Sequence, residues 1–190
     1  MLVAVTGTPG TGKSLLCDYL EKKGYTILRL NEIALKNNFI SGFDKKRNCY
    51  IIDVDKLNKY IKDKYGNNKE IIFLDGHFSH LLENLDKIII LRTNPVELKK
   101  RLTLKGWNFE KIRENLEAEI LDIIPVETLE KHPVNKVYEI DTTDKKPQEI
   151  ANIVHNIIYG KFKNNKGYRV GKIKWLDENN LALLNEKRLR

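Results

Sequence analysis

Gly7-Thr8-Pro9-Gly10-Thr11-Gly12-Lys13-Ser14 matches G-x-x-x-x-G-K-[ST] at every fixed position. The flanks are those the motif needs. Leu2-Val3-Ala4-Val5 before it is an apolar run that predicts a buried strand. Leu15, Leu16 and Leu20 after it fall at helical spacing, with Gly24 as the stop. The glycines let the chain turn tightly and aim successive N–H groups at one anion. With the positive end of the following helix, those groups can hold the α- and β-phosphates of a nucleoside triphosphate. Lys13 would reach the β/γ oxygens, and the Ser14 hydroxyl would ligate Mg²⁺. The ligands this stretch predicts are ATP, or another nucleoside triphosphate, and Mg²⁺.

Outward from the loop, strands and helices alternate. Residues 25–30 predict a second strand, and Asn31 or Glu32 opens a short helix to Lys36. Residues 37–50 read as a polar loop, with a turn at Ser41–Asp44 and a basic knot of Lys45, Lys46 and Arg47. Leu57, Tyr60, Ile61 and Tyr65 mark the core face of a helix that Gly66 ends. Glu70-Ile71-Ile72-Phe73-Leu74-Asp75 is a nearly continuous apolar strand that finishes in a carboxylate. Beside a phosphate loop, such an Asp is placed to hold Mg²⁺, while an ordinary helix cap is the alternative. His77 and His80 follow; either could orient water near the phosphates, or be a satisfied structural histidine.

Residues 86–92 predict another buried strand, and Asn94-Pro95-Val96-Glu97 reads as a helix cap, a first-turn proline and an early glutamate. That helix should end near Gly106. The next, from Asn108, carries Ile112, Leu116, Ile120 and Ile123 on one face, with Pro125 bending or ending it. Val137–Asp141 makes a fifth strand, and Pro147 starts a helix with a stripe of Ile150, Ile153, Val154 and Ile157. This alternation predicts an α/β fold: a five-stranded parallel sheet with helices on both faces. Ligands then gather at the carboxyl edge, with the phosphate loop, Asp75, His77 and residues 142–146.

A chain of 190 residues, 41% hydrophobic and 32% charged, fits one globular domain. No apolar run reaches the length of a membrane span, the first strand starts at residue 2, and Cys17 and Cys49 form no C-x-x-C pair. A cytoplasmic location is expected. Of the formal net charge of +8, +6 falls between Gly160 and Arg190. Such a basic extension predicts either an anionic partner such as RNA or a solubilising tail.

Absent signatures narrow the class. Asn135-Lys136-Val137-Tyr138 fails the guanine-reading Asn-Lys-x-Asp pattern, and the chain is too short for an AAA-type motor with its helical lid domain. A small kinase of nucleotides or metabolites remains. It needs positive charge around the transferred group. Arg101, Lys105, Lys111 and Arg113 bracket the break at Gly106-Trp107 and predict a lid over 104–114. Residues 31–50, with Lys36, Lys45, Lys46 and Arg47, predict the acceptor-binding region.

Residues 1–159 resemble the small atypical adenylate kinases known as the adenylate kinase isoenzyme six family. The resemblance rests on Thr6–Ser14, Gly42-Phe43-Asp44, Asp53-Val54-Asp55, Asp75-Gly76-His77, Ile90-Leu91-Arg92-Thr93, Gly106-Trp107, Glu114-Asn115, Glu119-Ile120 and Lys146-Pro147. It implies a nucleoside monophosphate kinase-like fold with a short lid, phosphoryl transfer from ATP to AMP or another nucleoside monophosphate, and ATPase activity. It also implies binding to a platform protein of the small ribosomal subunit, late in maturation of that subunit and its rRNA. Carried over, Gly10, Gly12, Lys13, Ser14 and Leu15 would bind ATP phosphates, Asp75 would serve Mg²⁺, His77 would serve ATPase function, and Lys146 would sit beside the adenine. The family often has an arginine before the lid glycine, where this chain has Lys105, and an arginine on the acceptor-side helix, where this chain has Leu35. Lysine keeps the charge without the bidentate fork, so both changes lean toward an ATPase with modest kinase turnover. The extension from Gly160 lies outside the resemblance; there Tyr168, Arg169, Lys172, Lys174 and Trp175 interleave aromatics with cations, a pattern suited to rRNA. A metabolite kinase on the same scaffold, and an ATP-gated assembly chaperone, are the competing readings.

Overall fold

The computed structural model describes residues 1–45, 47, 49–160 and 165–185. Lys46 of the basic knot lies outside the described residues, as do Lys161, Lys163, Lys187, Arg188 and Arg190 of the extension.

Five strands form one parallel sheet: β1 (Leu2–Thr6), β2 (Thr26–Arg29), β5 (Ile72–Asp75), β6 (Lys87–Arg92) and β7 (Val137–Asp141), in the order β2-β5-β1-β6-β7. The strand period of two explains their composition. Ala4, Leu74, Ile88 and Ile90 point into a core beneath one layer of helices, while Val3, Val5, Phe73, Ile89 and Leu91 point into the other. On the first face pack α2 (Leu30–Lys36), α3 (Val54–Tyr65) and α6 (Ile123–Lys131), through Leu30, Leu57, Ile61 and Ile124. On the second, α1 (Lys13–Lys22) and α7 (Pro147–Tyr159) contribute Leu16, Leu20, Val154 and Ile157. The architecture is the expected α/β fold with helices on both faces.

The structure departs from expectation in three places. Residues 37–50 are no polar loop, because β3 (Ile40–Asp44) and β4 (Cys49–Ile52) form an antiparallel hairpin with Phe43 opposite Tyr50. Their rings meet edge to face at 5.3 Å, a cross-strand pair that stabilises a ribbon whose residues stay largely exposed. With no buried face, the hairpin carries little hydrophobic alternation to read.

The helix expected to run from Asn108 past Ile123 is two. α5 (Phe109–Ile120) ends before Asp122, whose φ of 55° reverses the chain, and α6 begins just after it. Pro125 therefore sits in the first turn of α6, where its missing N–H costs nothing, and does not end a helix. The helix before that pair, α4 (Pro95–Leu104), is capped by Asn94 as expected, its side chain accepting from the Val96 amide at 2.9 Å.

The extension folds back on the domain. Residues Asn165–Tyr168 make a 3-10 turn, Arg169 bridges to Tyr138 on β7 with its guanidinium 4.8 Å from that ring, and α8 (Glu178–Asn185) packs against α4 and α5, with Leu184 on their shared core. Tyr168 packs against the core that contains Tyr138 and Val154. Two of the residues expected to interleave for a nucleic acid, Tyr168 and Arg169, are thus engaged within the chain; Lys172 and Lys174 remain exposed.

Candidate functional site

At the carboxyl edge of the sheet lies an open cleft of about 890 Å³. Its floor is the phosphate loop between β1 and α1. Gly7 has a φ of 138°, and a Cβ there would lie 2.3 Å from the Leu91 carbonyl oxygen, so only glycine fits against β6. Gly12 has a φ of 97° with open space around it, so backbone conformation alone demands glycine at the start of α1. Two long-range anchors hold the loop: the Thr142 hydroxyl donates to the Thr11 carbonyl at 2.9 Å, and the Thr8 hydroxyl donates to Glu119 at 2.5 Å.

Lys13 is folded onto its own loop. Its Nζ donates to the carbonyls of Gly7 (2.6 Å) and Thr8 (3.1 Å). Burial lowers its pKa to about 8, against the opposing pull of the Asp75 and Glu119 carboxylates. Asp75 ends β5, in register with Val5 of β1 and Arg29 of β2, which brings it beside the loop. Partial burial pushes its carboxyl up, and the Lys13 charge opposes that.

Gly10, Gly12, Lys13, Ser14 and Leu15 all line the cleft, as do Asp75, His77 and Lys105. Ser14 and Leu15 are exposed there. Lys146 is different. It is the exposed N-cap of α7, its amide donating to Glu149 at 2.8 Å, while its neighbours Lys145 and Pro147 line the cleft.

The two histidines part company. His77 presents an exposed ring to the cleft, packed edge to face on Phe78 at 5.0 Å. Desolvation by the cleft walls, then the Lys13 charge, pulls its pKa down to about 4. At neutral pH the imidazole is uncharged. His80 is only 2% exposed, with Nδ1 2.9 Å from the Thr6 hydroxyl and Nε2 3.0 Å from Glu127. It ties β1 to α6.

The basic residues expected around a lid also divide. Arg101 and Lys105 line the cleft, and Arg101 is braced by Glu97 at 3.0 Å and by the Thr143 carbonyl at 2.7 Å. Lys111 instead lies 4.0 Å over the Trp107 ring, and Arg113 pairs with Glu117 on the helix surface. Opposite, Arg47 of the hairpin reaches Glu114 of α5 at 3.3 Å, so the β3–β4 ribbon touches α5.

Sequence reading missed two groups. Arg29, at the end of β2, lines the cleft and is held by Asp18 at 2.7 Å and Glu21 at 2.8 Å. Its position directly opposite Asp75 was implicit only in the strand pairing. The second is Arg92, noticed only within a family motif. It is 1% exposed, with its guanidinium between Glu119 (2.8 Å), Glu139 (2.7 Å) and Asp122.

Known proteins agree with this geometry. A family model described as "AAA domain" matches residues 3–122, from β1 to the reversal after α5. Chains named "Putative adenylate kinase" are similar along nearly the whole length. The one from Methanococcus maripaludis is 41% identical, with 94% of this chain and 97% of the relative covered. The one from Archaeoglobus fulgidus is 43% identical, with 94% and 93% covered. Among solved structures, a shikimate kinase from Acinetobacter baumannii in complex with shikimate superposes with a TM-score of 0.57 at 14% identity, covering 86% of this chain and 95% of that one. TT1252 from Thermus thermophilus gives 0.52 at 15%, covering 86% and 98%. These likenesses show the phosphate-loop kinase fold, and with 41–43% identity over almost the full length the chain belongs to the AAA-domain family and to the family of those relatives named "Putative adenylate kinase".

Proposed function

We propose that the protein is a nucleoside monophosphate kinase that moves the γ-phosphoryl group of Mg-ATP to AMP or a similar monophosphate, with ATP hydrolysis as a side activity. The observation that carries this is one cleft with a phosphate loop on its floor and cationic groups on several walls: Lys13, Arg29, Arg101 and Lys105. The naming of the relatives supports a nucleotide acceptor.

Each residue then has a role. Amides of Gly10, Gly12, Ser14 and Leu15, with the α1 N-terminus, receive the ATP phosphates. Lys13 exchanges its loop carbonyls for β/γ oxygens and balances charge as the bridging bond breaks. An oxygen of the acceptor phosphate forms the new bond to phosphorus, and ADP leaves with the electron pair; the attacking oxygen is already ionised and needs no base. Ser14 and Asp75 offer a hydroxyl and a carboxylate, the hard oxygen donors Mg²⁺ prefers beside phosphates. When bound there, Mg²⁺ would neutralise charge on the β and γ oxygens. Lys105 of the 104–114 lid and Arg101 of α4 close the phosphate side, and Arg29 faces the acceptor, with residues 31–50 as its binding region. Lys146 caps the helix whose start flanks the base side. His77, neutral and open to the cleft, would position water when no acceptor is bound.

A second reading concerns biological role. The Asp75-Gly76-His77 triplet and the exposed Lys172 and Lys174 of the extension favour an ATPase acting in late maturation of the small ribosomal subunit, in the cytoplasm, with a platform protein and rRNA as partners. Among the described residues no helix is long and apolar enough to cross a membrane.

The test is ADP formation from Mg-ATP, with and without AMP, in wild type and His77→Ala. The kinase reading expects ADP to rise stoichiometrically with AMP, and His77→Ala to retain that transfer while losing about tenfold in acceptor-free hydrolysis. ADP formation indifferent to AMP, yet lost in the variant, would replace it with the partner-coupled ATPase. Turnover only with another small acceptor would make it a metabolite kinase.

A further inference from the structure

The Thr8 carbonyl is the hub of the phosphate loop. It accepts from the Thr11 amide (3.2 Å), the Thr11 hydroxyl (2.8 Å) and Lys13 Nζ (3.1 Å). Lys13 Nζ is shared between that carbonyl and the Gly7 carbonyl (2.6 Å), and it starts from this pair when a phosphate arrives. The Thr8 side chain is anchored by Glu119, from the last turn of α5, with both residues almost fully buried (1% and 2% exposed). The other Glu119 oxygen accepts from Arg92 Nε (2.8 Å) and from the Thr93 amide (3.0 Å). Glu119 is thus pinned from behind by β6 and holds the loop in front. Behind it, Arg92 also donates to Glu139, whose second oxygen accepts from the Gly171 amide at 2.7 Å.

We propose that Glu119 is a positioning residue for phosphoryl transfer: through the Thr8 hydroxyl it holds the Thr8 carbonyl in place, and so sets where Lys13 stands relative to the transferred phosphoryl group. The inference rests on the kinase reading above. A carboxylate suits the task because a charge-assisted bond to a hydroxyl is shorter and stronger than a neutral one. Small displacements of a charged group at a reacting phosphorus cost rate far more than binding, since loop amides bind ATP ground state and transition state alike.

Thr8→Val tests this, because it keeps the side-chain shape, removes the hydroxyl and leaves Glu119 its Arg92 and Thr93 partners. The measurements are kcat and KM for ATP, normalised to active sites titrated with N-methylanthraniloyl-ATP, and the melting temperature. The expected result is a kcat about tenfold lower with KM for ATP within about twofold, and recovery in Thr8→Ser. Glu119→Gln, which keeps an acceptor for Arg92, should lower kcat similarly, and the double variant should be no slower than the slower single one. A purely structural contact would lower melting temperature and active-site count while leaving turnover per site unchanged; that outcome overturns the inference and leaves the kinase reading standing. Wild-type protein that neither binds the labelled nucleotide nor forms ADP would overturn both.

Discussion

Two clusters of charge sit within reach of each other at the carboxyl edge of the same sheet, and they are treated in opposite ways. On the cleft floor, Lys13 rests on two backbone carbonyls, His77 is open, and Ser14 is exposed. Directly behind, Arg92 is enclosed by three carboxylates and the Glu119 carbonyl, and Glu139 is completed by a backbone amide from the extension. The first cluster has partners that a phosphate can displace. The second has two partners, Glu119 and Glu139, as buried as Arg92 itself. The contrast separates a site that is kept available from a support that is kept saturated, and Glu119 belongs to the support while touching the site.

The largest expected effect lies in the support. Arg92→Met leaves Glu119 and Glu139 buried without their guanidinium, which should cost about 3 kcal/mol of stability. For a chain of this size that lowers the melting temperature by about 10 °C. A melting curve that barely moves would mean that water or neighbouring groups can replace Arg92, and the contrast between the two clusters would collapse.

A middle-sized effect belongs to the floor and is read in pH. Lys13 titrates near 8 in the folded protein, against 10.5 for an ordinary lysine. Below about pH 8 it is charged and attracts phosphate. As pH rises through that value the charge is lost, so ATP should bind progressively more weakly between about pH 8 and 9.5, and Lys13→Met should show none of that slope. The stability contribution has the opposite sign. Between about 8 and 10.5 the unfolded chain keeps a proton that the folded chain has released, so this group favours folding more as pH rises. Calorimetric titration and denaturation across the same pH range check both signs.

The smallest effect lies at the rim, where neither rule applies. Arg47 and Glu114 are a solvent-exposed pair, so Arg47→Ala should leave the melting temperature almost unchanged. If the hairpin–lid contact helps hold an acceptor, KM for AMP should rise about twofold to fivefold with KM for ATP unchanged. Equal shifts in both would assign Arg47 to general electrostatics.

Much of the available cluster was legible in the chain because its chemistry is local. Eight consecutive residues set the loop, and Asp75 announced itself as the polar end of an apolar strand. The saturated cluster was not legible, since its charged members, Arg92, Glu119, Asp122 and Glu139, are separated by up to 47 positions, and each alone reads as an ordinary charged residue at an element's end. The histidines show the same limit over three residues. The 3-10 turn after Phe78 sends His80 inward to Thr6 and Glu127 and leaves His77 facing the cleft, and no pattern in the residue types foretells which one turns in. The hairpin at 40–52 escaped for the converse reason: a ribbon with no buried face leaves no hydrophobic period to detect.

The phosphate loop, the parallel sheet and a cleft at its carboxyl edge all follow from short stretches of the chain. Glycine conformation, strand composition and helix caps all act between near neighbours. That Arg29 joins the cleft, that Lys111 and Arg113 leave it, and that Thr8 hangs from Glu119 are outcomes of the assembled fold. Those outcomes depend on which strand ends lie side by side and which helix crosses them. Strand order follows from packing the two apolar faces of the whole sheet, a property no short stretch carries.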